Sequence, residues 1–353
     1  MATNLPLWYD ITMTLTLLIT LLFVATQPKL PNTPAVISFI LAIIASLLLG
    51  LAPVDAGTDR LNYYDMFSNA DMYLHDGFRD ILFIKYAKYC YDLTGNVTSC
   101  FLISALIYVS AYIYFYRQSC PNRYFYLFLI ASLALGFSGY HYNTLRAGLA
   151  IAFALIAIAK DQNKISFIVF SILAAGMHIS AILIIVSYYA TSIFQNTKYL
   201  YYLWAVMLIA LLGGVFDSLE YFTSQISLGD TTRFDGYLSG ESEKYEAGLR
   251  LDFIAYSLIP IIIGWLYINR LKYKNLYYIH IYNTYILSNA IWLIFNKIPF
   301  TDRVAYLSWI FIPFILIFPI CDDSNNSIKR KKAILFGCSI IVVGITFYLR
   351  YIR

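Results

Sequence analysis

Charged residues are scarce in this sequence. Asp, Glu, Lys and Arg make up 13% of its 353 residues, against about 25% in a typical soluble domain. Hydrophobic residues make up 60% and recur in long runs along the whole chain. The shortage of charge excludes an ordinary soluble protein, and the spread of the apolar runs excludes a soluble enzyme with one membrane anchor. The sequence therefore predicts a single integral membrane domain over residues 1–353.

The sequence also lacks the residue patterns of several kinds of site. Its five cysteines form no C-x-x-C pair, so neither a disulfide framework nor a zinc site is predicted. The P-loop, H-E-x-x-H and G-x-S-x-G motifs are missing. The net charge of +5 is too small to indicate a nucleic-acid partner. We expect no metal, no cofactor and no nucleic acid.

Ten apolar stretches have the length that crosses a bilayer, which takes about 20 residues. They lie near residues 7–26, 34–52, 97–117, 123–140, 143–160, 198–216, 251–269, 276–296, 303–320 and 333–351. The stretch 164–194 reads either as one long tilted helix or as a hairpin that breaks near Gly176. With the hairpin, the prediction is an all-α polytopic protein with about 12 transmembrane helices, in a range of about 10 to 14.

Basic residues in short loops predict the orientation, because they favour the cytoplasmic side of a membrane. The basic clusters all fall on one side only if the stretch 164–194 crosses twice, which places both termini outside. These clusters are Lys29, Arg117 with Arg123, Lys160 with Lys164, Lys198, Arg270 with Lys272 and Lys274, and the run 329–332. Two longer loops, at about 53–96 and 217–250, then face outward. The first contains "GFRDILFIKYAKYCYDL", an amphipathic piece expected to lie along the membrane interface.

Three arginines stand at the expected outward starts of apolar helices: Arg146, Arg250 and Arg303. A helix N-terminus already carries about half a positive charge, so a cation there is unfavourable unless an anion lies close by. Phosphate suits such a site, because backbone N–H groups and guanidinium forks both bind its oxygens. The alternatives are snorkelling to lipid headgroups and pairing with the nearby Asp252 or Asp302.

Arg146 gives the sharpest indication of a site. It is an uncompensated cation in "NTLRAGLAIAFALIAIAK", and the small residues of that helix predict close packing that buries it. His178, in "LAAGMHISA", is a candidate for proton transfer at the same end, or else a core histidine bonded to a neighbour. His141, in "GYHYNTLR", carries less weight because it can also cap the helix end.

The early loop "PVDAGTDRLNYYDMF" combines carboxylates with aromatic rings. Asp59 is a candidate general base for a sugar hydroxyl. Tyr63 and Tyr64 are candidates for stacking on sugar faces, and Arg60 is a candidate substrate-binding residue. The alternative is a solvated loop.

Five segments together resemble the EpsG/Wzy type of bacterial membrane polysaccharide polymerase (O-antigen or exopolysaccharide). They are spread over most of the chain, from about residue 55 to 320, and are "GTDRLNYYDMF", "YHYNTLRAGLAIAFALIAIAK", "LAAGMHISAILII", "GLRLDFIAYSLIP" and "FTDRVAYLSWIFIPFILIFP". The resemblance implies a glycosyltransferase at the outer, periplasmic face of the bacterial inner membrane. It would transfer a growing glycan from an undecaprenyl diphosphate carrier to a lipid-linked repeat unit. A chain-length regulator is implied as a partner, besides the membrane lipids.

For that reaction we expect Arg146, Arg250 and Arg303 to bind the diphosphate without a metal. His178 or Asp59 would remove the hydroxyl proton. The other expected substrate-binding residues are Asp302, His141, Tyr63, Tyr64 and Arg60.

Two other functions stay open at this point. A lipid-linked oligosaccharide flippase or other transporter is expected to have two similar halves and charges near the bilayer midplane. Here the charges cluster toward one face, and no internal repeat is visible. A membrane O-acyltransferase would also use a histidine and arginines.

Overall fold

The computed structural model is helical throughout the part of the chain that it describes, with no strand there. The described residues are 7–57, 59–75, 80–216, 248–297, 301–322 and 330–352. The helices in chain order are α1 (Leu7–Thr26), α2 (Ala35–Gly50), α3 (Arg60–Ser68), α4 (Ala70–His75), α5 (Ile81–Thr94), α6 (Val97–Ser119), α7 (Tyr124–Leu133), α8 (Phe137–Tyr142), α9 (Leu145–Ala159), α10 (Lys164–Met177), α11 (Ala181–Ile193), α12 (Thr197–Leu212), α13 (Leu251–Trp265), α14 (Leu276–Leu293), α15 (Thr301–Trp309), α16 (Ile312–Cys321) and α17 (Lys331–Phe347). A π-helical turn extends each of α13 and α17.

Five helices among the described residues are long and apolar enough to cross a membrane. They are Trp8–Thr26, Val97–Ser119, Leu251–Arg270, Thr301–Cys321 (α15 and α16 together) and Lys331–Tyr351. Six shorter apolar helices, α2, α7 and α9 to α12, accompany them. The protein is therefore a polytopic, membrane-embedded helical protein, and the count of 12 transmembrane helices stays a prediction.

Two of the expected spans are interrupted. The first breaks into α7 and α8 at Gly136, whose φ of 97° is a left-handed conformation that a side chain disfavours. The second breaks into α15 and α16 just before Pro313, which occupies the first turn of α16. Proline is tolerated there, because the first helical N–H groups have no partner inside the helix. Every residue of α7 and α16 is buried, so these two short helices form the centre of the bundle.

The stretch 164–194 is a hairpin of two helices, α10 and α11. The break falls at His178, two residues beyond Gly176. Because the chain turns back here, the ends of α9 and α11 and the starts of α10 and α12 all lie at the same end of the bundle. This is the arrangement that places the basic residues of these connections on one side.

The basic clusters, as far as the structure describes them, lie together at one end of the bundle, which we call the basic end. There Arg123 donates to the Cys321 carbonyl at 3.3 Å, and Lys332 donates to the Gln27 carbonyl. At the same end Lys160 lies 5.4 Å from the centroid of the Tyr114 ring. We call the opposite end the arginine end, because Arg146, Arg250 and Arg303 lie there.

The expected first loop, 53–96, is not a loop. It contains α3, α4 and α5, and Phe67, Phe83 and Phe101 join α3 and α5 to α6 through edge-on and tilted ring contacts. From Ile81 onward the amphipathic piece forms α5, which buries Phe83 and Ala87 and exposes Tyr89; residues 77–79 lie outside the described residues, and its position along the membrane interface stays a prediction. Ring packing of this kind orders the segment over the arginine end. Of the expected second loop, 217–247 lies outside the described residues.

The small-residue helix α9 is buried as predicted. Ten of its 15 residues are buried, and it packs between α6 and α10. A Cβ on Gly148 would lie 2.8 Å from the Tyr140 carbonyl oxygen, so only glycine permits that approach. Arg146 is thereby carried into the packed interior of the arginine end.

The close approach of α2 to α6 gives a testable prediction. A Cβ at Gly50 would lie 2.6 Å from the Leu102 backbone Cα, so Gly50→Ala forces the helices apart. We expect a loss of about 1–3 kcal/mol from this overpacking. A lower thermal unfolding midpoint of the detergent-solubilised protein would show it.

Gly337→Ala is the matched control, because a Cβ at Gly337, inside α17, meets nothing within 4 Å. Its midpoint should stay the same or rise, since alanine favours a helix over glycine. Equal midpoints for Gly50→Ala and the wild type would contradict the close packing of α2 on α6.

Candidate functional site

The three arginines stand at helix starts, as the sequence predicted. Arg146 is the second residue of α9, Arg303 the third residue of α15, and Arg250 directly precedes α13. They are not uncompensated, however. Each guanidinium is paired with a carboxylate, so the expectation of three unpaired cations waiting for an anion is wrong.

Arg146 pairs with Asp80. Its Nη1 lies 2.6 Å from Asp80 Oδ2, and the two side chains are 19% and 10% exposed. Asp80 directly precedes α5 but makes no capping bond with its side chain, because the carboxylate turns to the guanidinium. A charge this well buried needs a partner. The sequence analysis did not select Asp80 as a site residue. The one feature that could have marked it is its position directly before the amphipathic helix.

Arg303 pairs with Asp59, a residue far from it in the sequence. Arg303 Nη2 lies 2.9 Å from Asp59 Oδ2, and the side chains are 34% and 26% exposed. Asp59 precedes α3, and its side chain makes no capping bond there either. The loop before α3 rests against Asn143: a Cβ on Gly57 would lie 2.2 Å from Asn143 Oδ1. The early segment is thus fixed between α9 and α15.

Tyr63 and His178 interact electrostatically with members of both ion pairs. Burial raises the pKa of Tyr63, and the Arg146 guanidinium opposes the rise by hydrogen bonding to the phenol. Burial lowers the pKa of His178; Asp80 opposes that shift, while Arg146 adds to it. His178 is therefore neutral near pH 7. The two ion pairs act on one imidazole, so the early segment, α9, the α10–α11 turn and α15 form one site.

The neutral His178 ring carries its proton on Nε2. The backbone N–H of Ser180 donates to His178 Nδ1 at 3.2 Å, and Ser180 Oγ lies 2.7 Å from the same nitrogen. A nitrogen that accepts an N–H is unprotonated, which leaves the proton on the other one. His178 therefore offers Nε2 as a donor, and its basic nitrogen is already occupied.

Arg250 has a local partner. Its Nε and Nη2 donate to the two Asp252 oxygens at 3.1 and 2.9 Å, and the guanidinium stacks 3.6 Å from the centroid of the Phe253 ring. This is the pairing with Asp252 that the sequence allowed as an alternative. Asp302 lies close enough to Arg250 and Arg303 to interact with both. It connects Arg250 with the rest of the site.

Arg60 and His141 lie inside the protein rather than on a site surface. Arg60 is 0% exposed and donates to the carbonyls of Gly50 and Ala52 at 2.8 and 3.1 Å. Its Nη1 lies 3.2 Å from His141 Nδ1. The guanidinium also sits 4.0 Å over the Phe101 ring centroid. These contacts satisfy carbonyl groups at the C-terminal end of α2. Arg60 and His141 therefore make structural contacts inside the protein instead of the substrate contacts that we expected.

The two tyrosines of the early segment differ in position. Tyr63 is 5% exposed and packs edge-on against Phe83 with ring centroids 5.9 Å apart. Tyr64 is 42% exposed. Of the two rings expected along a sugar path, only that of Tyr64 reaches the surface.

A further ion pair lies at the arginine end, and it was not predicted from the sequence. Arg350 Nη1 binds both oxygens of Asp10 at 2.6 and 2.8 Å, and the Tyr351 hydroxyl donates to the same carboxylate. The pair joins the start of α1 to the end of α17. Arg350 also interacts with Tyr306 of α15, which places this pair beside the site.

The site combines three guanidinium groups with four carboxylates, those of Asp59, Asp80, Asp252 and Asp302. The carboxylates hold the guanidinium groups in place and can themselves accept a proton. Within the described residues, no three His, Cys, Asp or Glu side chains come together as metal ligands do. The chemistry available is anion binding next to a carboxylate base.

Comparison with known proteins identifies the family. The model of the EpsG family matches residues 35–353, which includes the three arginines of the site and all four of its carboxylates. Searches of curated proteins and of solved structures gave no match.

The Arg146–Asp80 pair predicts a specific stability loss. Asp80→Asn leaves a poorly exposed guanidinium without its carboxylate. We expect it to lower stability by about 1–3 kcal/mol, seen as a lower thermal unfolding midpoint.

Asp71→Asn is the matched control, because Asp71 and its partner Lys88 are 70% and 38% exposed and exposed pairs contribute little. Its midpoint should match the wild type. A midpoint for Asp80→Asn equal to that of the control would show that the pair does not hold the site together.

Proposed function

Because the chain belongs to the EpsG family of membrane polysaccharide polymerase-like proteins, we propose that it is a polysaccharide repeat-unit polymerase. It transfers a growing glycan from an undecaprenyl diphosphate carrier to the terminal sugar of a lipid-linked repeat unit. The bond from the sugar's anomeric carbon to the diphosphate breaks, and a new one forms to the acceptor hydroxyl oxygen. The diphosphate keeps the bonding electron pair, and the hydroxyl gives up its proton.

The orientation follows from the basic end. Clusters of Lys and Arg favour the cytoplasm, so the arginine end faces the periplasmic side of a bacterial inner membrane. Donor and acceptor are both lipid-linked, and a site at one end of the helix bundle is within reach of both. Tyr64, exposed on α3, is positioned to contact a sugar.

The diphosphate binds to Arg146, Arg303 and Arg250. Two of these lie in the first turn of a helix and the third directly precedes one, so helix dipoles add to the guanidinium charge. The carboxylates hold the guanidinium groups before the substrate arrives. Charges fixed in advance stabilise the growing negative charge of a leaving diphosphate more than charges that must first move. No metal has a role in this mechanism.

Asp59 accepts the proton of the acceptor hydroxyl. It is the more exposed carboxylate of the two long-range pairs, at 26% against 10% for Asp80. His178 offers an Nε2–H donor rather than a free basic nitrogen. We therefore assign His178 to a diphosphate oxygen and the base role to Asp59. The choice between the two was open from sequence alone.

One observation carries the proposal: the early part of the chain brings Asp80 to 2.6 Å from Arg146 and Asp59 to 2.9 Å from Arg303, so guanidinium groups of helices far apart in the chain are held at one end of the bundle. A protein that only needed to solvate its helix ends would have no reason to gather these groups. The arrangement at one end of the bundle also differs from the midplane site of a transporter.

The arginine assignment predicts a loss of polymerisation. Arg146→Lys and Arg303→Lys keep the charge but remove the fork that binds phosphate oxygens in pairs. We expect each to slow polymerisation of purified lipid-linked repeat units by about 10²–10³-fold, read from the ladder of chain lengths on a gel.

Arg270→Lys, at the basic end, is the control and should keep the wild-type ladder. Wild-type ladders from both site variants at equal expression would end the diphosphate assignment. In cells, loss of a polymerase leaves a single capped repeat on the surface, whereas loss of a flippase leaves none. An acyltransferase would leave the ladder intact and change only its decoration.

The assignment of the base role to Asp59 predicts which of two variants loses more polymerisation activity. Asp59→Asn removes the base and should lower the polymerisation rate by about 10²–10⁴-fold. His178→Gln retains an N–H donor and should lose much less. Thermal unfolding of both variants shows whether they fold. The reverse ranking, in folded proteins, would return the base role to His178.

A further inference from the structure

A cavity lined by both polar and apolar side chains lies at the basic end, on the opposite side of the bundle from the arginine site. Its volume is about 620 Å³, which is within the range of small-molecule sites. It lies among α11, α12, α14 and the turn after α9. No residue of the arginine site lines it, so it is a separate site.

The inner wall of this cavity presents hydrogen-bond acceptors. His280 Nε2 lies 2.9 Å from the Tyr188 carbonyl, which only accepts, so the neutral ring leaves Nδ1 as an acceptor. Asn283 is 1% exposed, donates its amide N–H to the Gln195 carbonyl, and leaves Oδ1 without a partner among the described residues. The Asp161 carboxylate accepts from the Tyr188 hydroxyl at 2.6 Å and from the Gln162 side-chain amide at 3.3 Å, and it retains further lone pairs.

Three acceptors, one of them a carboxylate, favour a ligand with several N–H donors and a positive charge. A primary ammonium group has three N–H donors. Unpaired buried acceptors are costly, so the orphaned Asn283 oxygen indicates that a donor completes this wall.

The rim of the cavity carries the opposite charge. Lys198 is exposed and lies in the first turn of α12, where the helix dipole adds partial positive charge. Thr197 brings a hydroxyl group to the same rim. These groups attract an anion, and phosphate fits them by charge and by its oxygens. The cavity therefore suits a zwitterion with its ammonium inside and its phosphate at the rim.

Exposed apolar side chains flank the rim. Phe194, Tyr199 and Leu276 are 71%, 70% and 80% exposed. In a membrane-embedded protein such side chains face lipid, so acyl chains can lie along them while the headgroup enters the cavity. A soluble zwitterion would gain nothing from this surface.

We propose that this cavity binds the headgroup of an aminophospholipid. Asp161, Asn283 and His280 receive the primary ammonium, and Lys198 binds the phosphate. The proposal does not depend on the polymerase reaction. A bound lipid would fill the space between α11, α12 and α14 and fix these helices to one another.

Native mass spectrometry of the full-length protein tests the proposal. The protein is released from nanodiscs that contain equal parts of phosphatidylethanolamine, phosphatidylcholine and phosphatidylglycerol. We expect phosphatidylethanolamine to be retained about tenfold more than the other two, because a quaternary ammonium has no N–H and phosphatidylglycerol has no cation. Equal retention of all three would overturn the proposal.

Two variants locate the bound lipid. Asp161→Asn and Lys198→Gln should each lower the retention of phosphatidylethanolamine about tenfold. Lys198 is exposed, so its variant is expected to fold. Lys164→Gln is the control, because Lys164 is an exposed cation at the same end that does not line the cavity. Unchanged retention in both variants would overturn the site.

A soluble headgroup separates a lipid from a free metabolite. Glycerophosphoethanolamine, added to delipidated protein, should raise the thermal unfolding midpoint far less than the lipid does. An equal rise would overturn the assignment to a lipid.

Discussion

A charge inside a membrane protein has to be compensated, because the interior solvates it poorly. In this protein the compensation is made by carboxylates from distant segments. Asp80 meets Arg146 and Asp59 meets Arg303, so the start of α5 is fixed to α9 and the start of α3 is fixed to α15. The same bonds hold the guanidinium groups in defined positions. A single requirement, that buried cations be paired, therefore shapes both the fold of the arginine end and its chemistry.

The two ends of the bundle differ in chemistry because the chain reverses at His178. Within the described residues, that reversal lets the basic clusters fall at one end and leaves the arginine–aspartate pairs at the other. It also separates two kinds of polar site. The arginine end gathers guanidinium groups around an imidazole and suits a diphosphate. The basic end has a cavity whose inner wall accepts hydrogen bonds and whose rim is cationic, which suits a zwitterionic headgroup.

Much of the fold was readable from local sequence patterns. The small residues after Arg146 predicted a buried helix, and α9 is buried. The three arginines were placed at helix starts, which needs only the apolar periodicity of the spans. The carboxylate partners of Arg146 and Arg303 could not be predicted from the sequence, because these pairs form between residues far apart in the chain. Asp59 and Arg303 are 244 residues apart, and nothing near either one marks the other. Only Arg250, whose partner Asp252 is two residues away, had an identifiable partner.

The sequence by itself determined a helical membrane protein, the family resemblance, and the helix starts on which the arginines stand. These follow from composition, hydrophobic period and short motifs, all of which are local. The tertiary structure alone decided which polar residues are accessible. It buried Arg60 beneath carbonyl groups, left Tyr64 exposed, and fixed the His178 proton on Nε2 through the Ser180 backbone. Accessibility and tautomer are set by what packs around a side chain, and packing exists only once the chain has folded.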